Sequence, residues 1–349
     1  MNFRSDNVTG IAPEILAAIV AANEGTAPSY GADAVTERLV QRIAALFEHD
    51  VAVFPLATGT AANALALATL TPAWGAIYCH EAAHIQTDEC GAPEFFGGGA
   101  KLLPLSGADA KLAPATVAAA MIEPGVVHHV QPAAISISEA TEAGTLYRPD
   151  EIAALGALAR RHGLGLHMDG ARFANAVAAL GCSPAELTWR AGVDVLSLGA
   201  TKNGALAAEA VVFFEPKKAA EFGFRRKRGG HLFSKMRFLS AQLEAYLTDD
   251  LWLRHAAHAN RMAARLSGGL AALPGARLRH PTEANEVFIE LPDVVIDALA
   301  AAGCGFYRWG GAASSCLRLV TAFDTRAADV DACIATAREA ALGASRAAS

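Results

Sequence analysis

What this chain lacks narrows what it does. It has no basic excess: 29 Lys and Arg stand against 35 Asp and Glu, a net charge of −6. Nothing is available to neutralise a run of phosphates, so nucleic acid is not an expected partner. No stretch reaches the roughly 18 apolar residues that a membrane helix needs. "IAALGALARRHGLGLHMDGA" is apolar but broken by Arg160, Arg161 and His162, so no membrane partner is expected. The N-terminus, "MNFRSDNVTG", carries charges and no apolar core, and is not read as a secretory signal. Six scattered cysteines (Cys79, Cys90, Cys182, Cys304, Cys316 and Cys333) never form C-x-x-C. A chain of this size needs no disulfide staples, so they read as reduced thiols of a cytoplasmic protein. Internal repeats and low-complexity segments are absent too.

What is present is a chain able to bury a large core. It is 349 residues long, 53% hydrophobic and 18% charged, with 31 glycines. That length suits two domains. Helices are expected at 13–23 and 36–48, where apolar residues recur every three or four positions. "VAVFPLA" (51–57) reads as a buried strand, followed by "TGTAANALALATL", a turn opening into a helix. Further strands are expected at 75–79, 133–138, 164–169, 193–199 and 209–214, with a helix over "PDEIAALGALARRHG". Short buried strands alternating with helices indicate an α/β fold with a mostly parallel sheet. The alternation dissolves near residue 240. One long helical stretch, roughly 231–272, is expected next. Then "NEVFIEL", "CGFYRW" and "SCLRLVT" alternate with helices, the pattern of a smaller α+β domain. The boundaries read as 1–240 and 241–349.

Two constellations offer chemistry. "HEAAH" (80–84) matches H-E-x-x-H, in which two histidines on one helix face bind zinc. The preceding "AIYC" is strand-like, however, and no third histidine follows. A zinc hydrolase is therefore the distant reading, and no metal is assigned. The second constellation is Asp169, in "HMDGAR", and Lys202, 33 residues later in "GATK". Both stand just past the carboxyl ends of predicted strands, where open α/β sheets bind ligands. A lysine able to form a Schiff base and an acid able to hold a pyridine nitrogen protonated suit pyridoxal 5′-phosphate (PLP). Thr58, Gly59 and Thr60 supply a turn at a helix N-terminus, which suits the phosphate.

Nearly the whole chain, from "FRSDNVTG" to "LRLVTAFD", resembles the low-specificity L-threonine aldolases, in the β-eliminating lyase group. The pieces that carry the resemblance are "SYGAD", "TGTAAN", "HIQTDECGAPEFF", "LHMDGARFANA", "TKNG", "KMRFL" and "CLRLVT". The resemblance implies a fold-type-I, aspartate-aminotransferase-like large domain. It implies retro-aldol cleavage of L-threonine or L-allo-threonine, and of related β-hydroxy-α-amino acids, to glycine and an aldehyde. Other PLP chemistry on the same scaffold, β-elimination or racemisation, stays open. By resemblance, Lys202 carries the cofactor, Asp169 pairs with its ring nitrogen, and His84 stacks on the ring. Arg172 lies near the cofactor's O3′ and the substrate carboxylate, which Arg318 clamps and Ser5 hydrogen-bonds. Many relatives carry a histidine in "THNG"; here "ATEAG" places Glu142 there, as a carboxylate able to take the β-hydroxyl proton. Arg226 and Lys227, in the basic run "FRRKRGG", match a segment that reaches the neighbouring subunit's phosphate. Tyr30 resembles a residue lent across the same interface. A homodimer or homotetramer with shared sites follows.

Overall fold

The computed structural model describes residues 1–348. Two helices come first, α1 (Pro13–Ala22) and α2 (Ala34–Phe47). The Asp33 side chain caps α2 by accepting from the Thr36 N–H at 2.9 Å. Leu39, Ile43 and Phe47 then recur on one buried face. Glu48, at φ 54°, stops the helix in the left-handed region.

The central segment alternates as expected, with additions. It runs β1 (Ala52–Leu56), α3 (Gly59–Leu70), β2 (Gly75–His80), α4 (His84–Thr87), α5 (Ala92–Phe96), β3 (Lys101–Leu105) and α6 (Pro114–Ala119). It continues through β4 (Gln131–Ser138), α7 (Pro149–His162), β5 (Gly165–Gly170), α8 (Phe173–Leu180), β6 (Val195–Gly199) and β7 (Glu209–Phe213). These strands form one seven-stranded sheet in the order β1-β7-β6-β5-β4-β2-β3. Every pairing is parallel except those of β7, which runs antiparallel to both its neighbours. The reversal puts the first residue of β7 at the same sheet edge as the last residues of the others. The strand β3 was not anticipated from the sequence. It is an edge strand containing Pro104 and largely unburied, so neither alternation nor a continuous apolar run announces it.

The expected single helix over 231–272 is corrected. Beyond α9 (Phe222–Arg228), residues 231–236 form no helix, and the rest divides into α10 (Arg237–Tyr246) and α11 (Leu251–Ala271). The break falls at Asp249 and Asp250, both left-handed at φ 50° and 54°. Aspartate tolerates that region better than most residues. Thr248 turns its hydroxyl back to the Glu244 carbonyl at 2.7 Å.

A second, antiparallel sheet follows. It consists of β8 (Arg277–Leu278), β9 (Glu286–Glu290), β10 (Tyr307–Arg308) and β11 (Cys316–Val320), in the order β10-β11-β9-β8. Helices α12 (Asp293–Ala301) and α13 (Ala327–Ala348) cover it. There are two main cores. Phe47, Phe173, Tyr246 and Trp252 anchor the first; Phe3, Leu266, Val287 and Leu319 lie in the second. Helix α11 feeds both, through Trp252 and Ala256 at one end and Leu266 and Leu270 at the other. The N-terminal segment also reaches the second core. The Phe3 N–H donates to Gly305 O, and Phe3 O accepts from the Val320 N–H, each at 2.8 Å. That anchoring delivers Asp6 to the large sheet. Among the described residues no helix is long and apolar enough to cross a membrane.

Candidate active site

The carboxyl edge of the large sheet collects the chemistry. Thr58, Gly59 and Thr60 follow β1, and His84 opens the helix after β2. Glu142 lies in the loop after β4, Asp169 is the penultimate residue of β5, and Lys202 follows β6. All line one cavity of about 240 Å³, joined by four polar residues the sequence reading did not single out: Asn7, Asn63, Thr201 and Glu209. A larger hollow, about 500 Å³, lies among α1, α2 and α10 and holds none of the expected side chains.

A hydrogen-bonded relay links two of the expected residues through two others. Asn63 donates its amide to Asp169 Oδ2 and to Glu89 Oε1, both at 2.9 Å. Glu89 Oε1 also bonds His84 Nδ1 at 2.9 Å. With two carboxylates as partners, the Asn63 amide nitrogen must face them. Asp169 Oδ1 accepts from the Ala171 N–H at 3.0 Å. The bond to Glu89 raises the His84 pKa against the opposing effect of burial. Burial raises Glu89 itself. Glu142 is raised as well, first by burial and then by the charges of Asp169 and Glu286; Lys202 and Arg172 act in the opposite direction.

The two expected arginines sit in a buried charge network instead of opening freely on the cavity. Arg172 makes a forked pair with Asp6, Nε to Oδ2 at 2.7 Å and Nη2 to Oδ1 at 3.0 Å. Its Nη1 lies 3.3 Å from Glu286 Oε2. Arg318 gives Nε and Nη2 to Glu286 Oε1 at 3.1 and 2.5 Å, and stacks over Trp309. Its Nη1 has no partner among the described residues. Burial opposes the charge of Arg172, but Asp6 and Glu286 outweigh it and raise its pKa further. The Asp6 carboxyl, though buried, is held below its ordinary value by Arg172 and Lys202. The sequence reading missed both Asp6 and Glu286. Glu286 was detectable as the acid that opens the strand "EVFIE", whose apolar centre separates it from Glu290.

The remaining expected residues lie outside the cavity lining. Ser5 accepts from the Asn7 N–H at 3.1 Å and borders a separate cleft near Thr325. Arg226 donates to Pro55 O at 3.2 Å and packs over Phe54. Burial lowers its pKa to about 10. Lys227 lies 4.8 Å from the centroid of the Tyr30 ring, and Tyr30 is 48% exposed at φ 60°. The "HEAAH" motif is not one helix. His80 ends β2, both its ring nitrogens are used by backbone partners (Gly107 O and the Ala82 N–H), and His84 starts α4.

The donor set fits PLP. Lys202 Nζ makes no hydrogen bond or ion pair among the described residues, so its amine is available. The Thr58 side chain caps α3 through the Ala61 N–H at 3.2 Å. That leaves the Gly59 and Thr60 N–H groups at the positive end of a 12-residue helix. A Cβ built at Gly59 would meet nothing within 4 Å, so the phosphate loop faces open space.

Sheet, edge and donor set define a class: the chain belongs to the β-eliminating lyase family, whose model matches residues 2–292. Within it, the chain is 47% identical over 328 residues to the low specificity L-threonine aldolase of Pseudomonas sp. (strain NCIMB 10558), covering 94% of both chains. It also resembles the solved threonine aldolase of Leishmania major, with a TM-score of 0.91 and 29% identity over 97% of this chain and 98% of that one. A serine palmitoyltransferase from S. paucimobilis, solved with bound PLP–myriocin, shares the fold at a TM-score of 0.70 and 16% identity. It is covered to 87%, against 97% of this chain.

Proposed function

We propose that this protein is a PLP-dependent L-threonine aldolase, cleaving L-threonine, L-allo-threonine and related β-hydroxy-α-amino acids to glycine and an aldehyde. The observation that carries the reading is the meeting of Lys202, Asp169, His84 and the Thr58–Thr60 helix terminus in one cavity. PLP, when bound, supplies the electron sink for the carbanion left at the substrate's Cα. Lys202 is its covalent anchor, and Asp169, fixed by Asn63 and the Ala171 N–H, keeps a proton on the ring nitrogen. Thr58, Gly59 and Thr60 hold the phosphate by backbone donors and helix dipole.

Arg318 turns its free Nη1 to the substrate carboxylate, while Arg172, locked by Asp6 and Glu286, adds a fixed positive field. A carboxylate held on one side would fix the orientation of the bonds at the substrate's Cα, and so which bond breaks. Glu142, whose pKa burial raises, faces the β-hydroxyl as the base. His84, oriented by Glu89, would hold the ring from within the cavity. Ser5 steadies the turn that presents Asn7.

The active unit is a homodimer or homotetramer in which Tyr30, Arg226 and Lys227 serve the neighbouring site. Exposed Phe224 and Phe233, near the basic helix in sequence, support that reading. The division into units 1–240 and 241–349 and a cytoplasmic location belong to the same proposal. All six cysteines are free thiols, as a reducing compartment would keep them.

The test is direct. Purified protein with PLP should release acetaldehyde from L-threonine and little pyruvate from L-serine. Borohydride should fix PLP on Lys202. Pyruvate as the main product would replace the aldolase reading with β-elimination. Lys202→Ala should stay folded and lose turnover; normal activity in it would contradict the assigned anchor.

A further inference from the structure

Of the acids among the described residues lining the cavity, Glu209 is the one to which the proposed reaction assigns nothing. Its position is set by the sheet. As the first residue of the reversed strand β7, it pairs with Leu56 on one side and Gly199 on the other. Leu56 leads through Ala57 into Thr58–Gly59; Gly199 leads through Ala200 into Thr201–Lys202. Cross-strand partners sit about 5 Å apart at Cα. One carboxyl is therefore wedged between the phosphate loop and the lysine loop.

Its environment is tight. Glu209 is 7% exposed, and Oε1 accepts from the Thr201 hydroxyl at 2.5 Å. That hydroxyl in turn accepts from the Ala208 N–H at 3.2 Å, so its one proton is committed to Glu209. Burial pushes the Glu209 pKa up to about 7, against the Thr201 bond and the Lys202 charge; Asp169 adds to the rise. The other charged groups around the site are Glu142 after β4, His84 on α4, and Arg226 on α9, which reaches Pro55 O on β1. A phosphate dianion on the Thr58–Thr60 loop places new negative charge beside a carboxyl already near its titration point.

We propose that Glu209 is the proton-taking partner of the phosphate site. The phosphate ester binds together with one proton drawn from solvent, an O–H bond forms on the Glu209 carboxylate, and the neutral carboxyl becomes a hydrogen-bond donor. The inference rests on the reading of the cavity as a PLP site.

The experiment uses apoprotein and 4-deoxypyridoxine 5′-phosphate, which lacks the aldehyde and leaves Lys202 unreacted. Its Kd is measured by calorimetry between about pH 6 and pH 9 for wild type and Glu209→Gln. The glutamine imitates the neutral acid at every pH. Relative to that variant, wild-type Kd should rise about tenfold per pH unit above neutrality, reaching roughly a hundredfold at about pH 9. Calorimetry in buffers of different ionisation enthalpy should show wild type taking up close to one extra proton. Equal slopes and equal proton counts overturn the inference while leaving the PLP reading intact. Failure of wild type to bind PLP or the ester sinks both, whereas a folded Glu209→Gln that cannot bind the ester overturns the inference alone. If Glu209→Gln does not fold, the wild-type proton count decides alone, for the ester against 4-deoxypyridoxine without phosphate. An ester-dependent uptake near one supports the proposal, and no difference refutes it.

Discussion

Asp6→Asn is the sharpest probe of the charge network beside the cavity. Asp6 and Arg172 are 1% and 5% exposed, and their forked pair spans 2.7 and 3.0 Å. Asn285 adds a third donor to Asp6 Oδ2 at 3.1 Å. Asparagine keeps one acceptor, but its NH2 would face other donors. Removing one partner of a buried pair costs about 3–5 kcal/mol, because the surviving charge is left uncompensated. Here Glu286 remains 3.3 Å from Arg172, which puts the expected loss at the lower end, about 3 kcal/mol. Urea unfolding of apoprotein at neutral pH measures it. The pH dependence follows in sign. The Asp6 pKa is lowered on folding, so its contribution is full above the unfolded value and disappears as pH falls through the folded one. The gap between wild type and variant should close on acidification. A second variant isolates the cause. If the cost is an orphaned cation, Arg172→Met in the Asp6→Asn background should restore stability, with a coupling of about 1.5 kcal/mol or more. A loss under about 0.5 kcal/mol in Asp6→Asn, or strictly additive effects in the pair, would refute this account.

Other expectations follow from the same geometry. Glu89→Gln removes the partner that raises His84, so the inflection of kcat/KM belonging to that histidine should move to lower pH; an unmoved inflection separates His84 from its relay. Glu142→Gln should lower kcat about 10²–10⁴-fold if Glu142 is the base, while glycine affinity stays near wild type. Retained kcat would pass that role to His84 or water. Gly59→Ala should leave the unfolding midpoint unchanged or higher, because its Cβ meets nothing and alanine suits a helix. A large destabilisation would show that the loop is not open there.

The α/β alternation was legible because each central strand is a short apolar run bounded by turns. The site was legible where a residue type is rare at its location: a lysine and an aspartate at strand ends, a Thr-Gly-Thr turn before a helix. What stayed hidden depends on partners distant in sequence. Asp6 meets Arg172 across 166 positions and Asn285 across 279, which no local pattern encodes. Asn63 and Glu89 lay inside segments already singled out, yet their roles come from a relay that exists only once α3, α4 and β5 are assembled. Glu209 was hidden differently. It begins the one antiparallel strand of the sheet, and strand direction cannot be read from "EAVVFF". A parallel β7 would have put it at the opposite edge. The break between α10 and α11 was readable in hindsight from "TDD", whose short polar side chains favour turns over a continued helix.

Burial at the crowded sheet edge shifts several of its acids upward. Six carboxyl groups gather around the cavity and its arginines: Asp6, Glu89, Glu142, Asp169, Glu209 and Glu286. The opposing basic side chains are Arg172, Lys202 and Arg318, with His84 as a fourth. The arginines are already matched by Asp6 and Glu286. Were all the remaining acids ionised, a phosphate and a substrate carboxylate would enter a region of net negative charge, with burial weakening the screening. Burial instead raises Glu89, Glu142 and Glu209. An upward shift eases uptake of a proton, which removes a negative charge and supplies a donor. Asp169, by contrast, accepts from Asn63 and the Ala171 N–H, which fix its orientation. Upward shifts at Glu89, Glu142 and Glu209 therefore favour the admission of two anions to this edge.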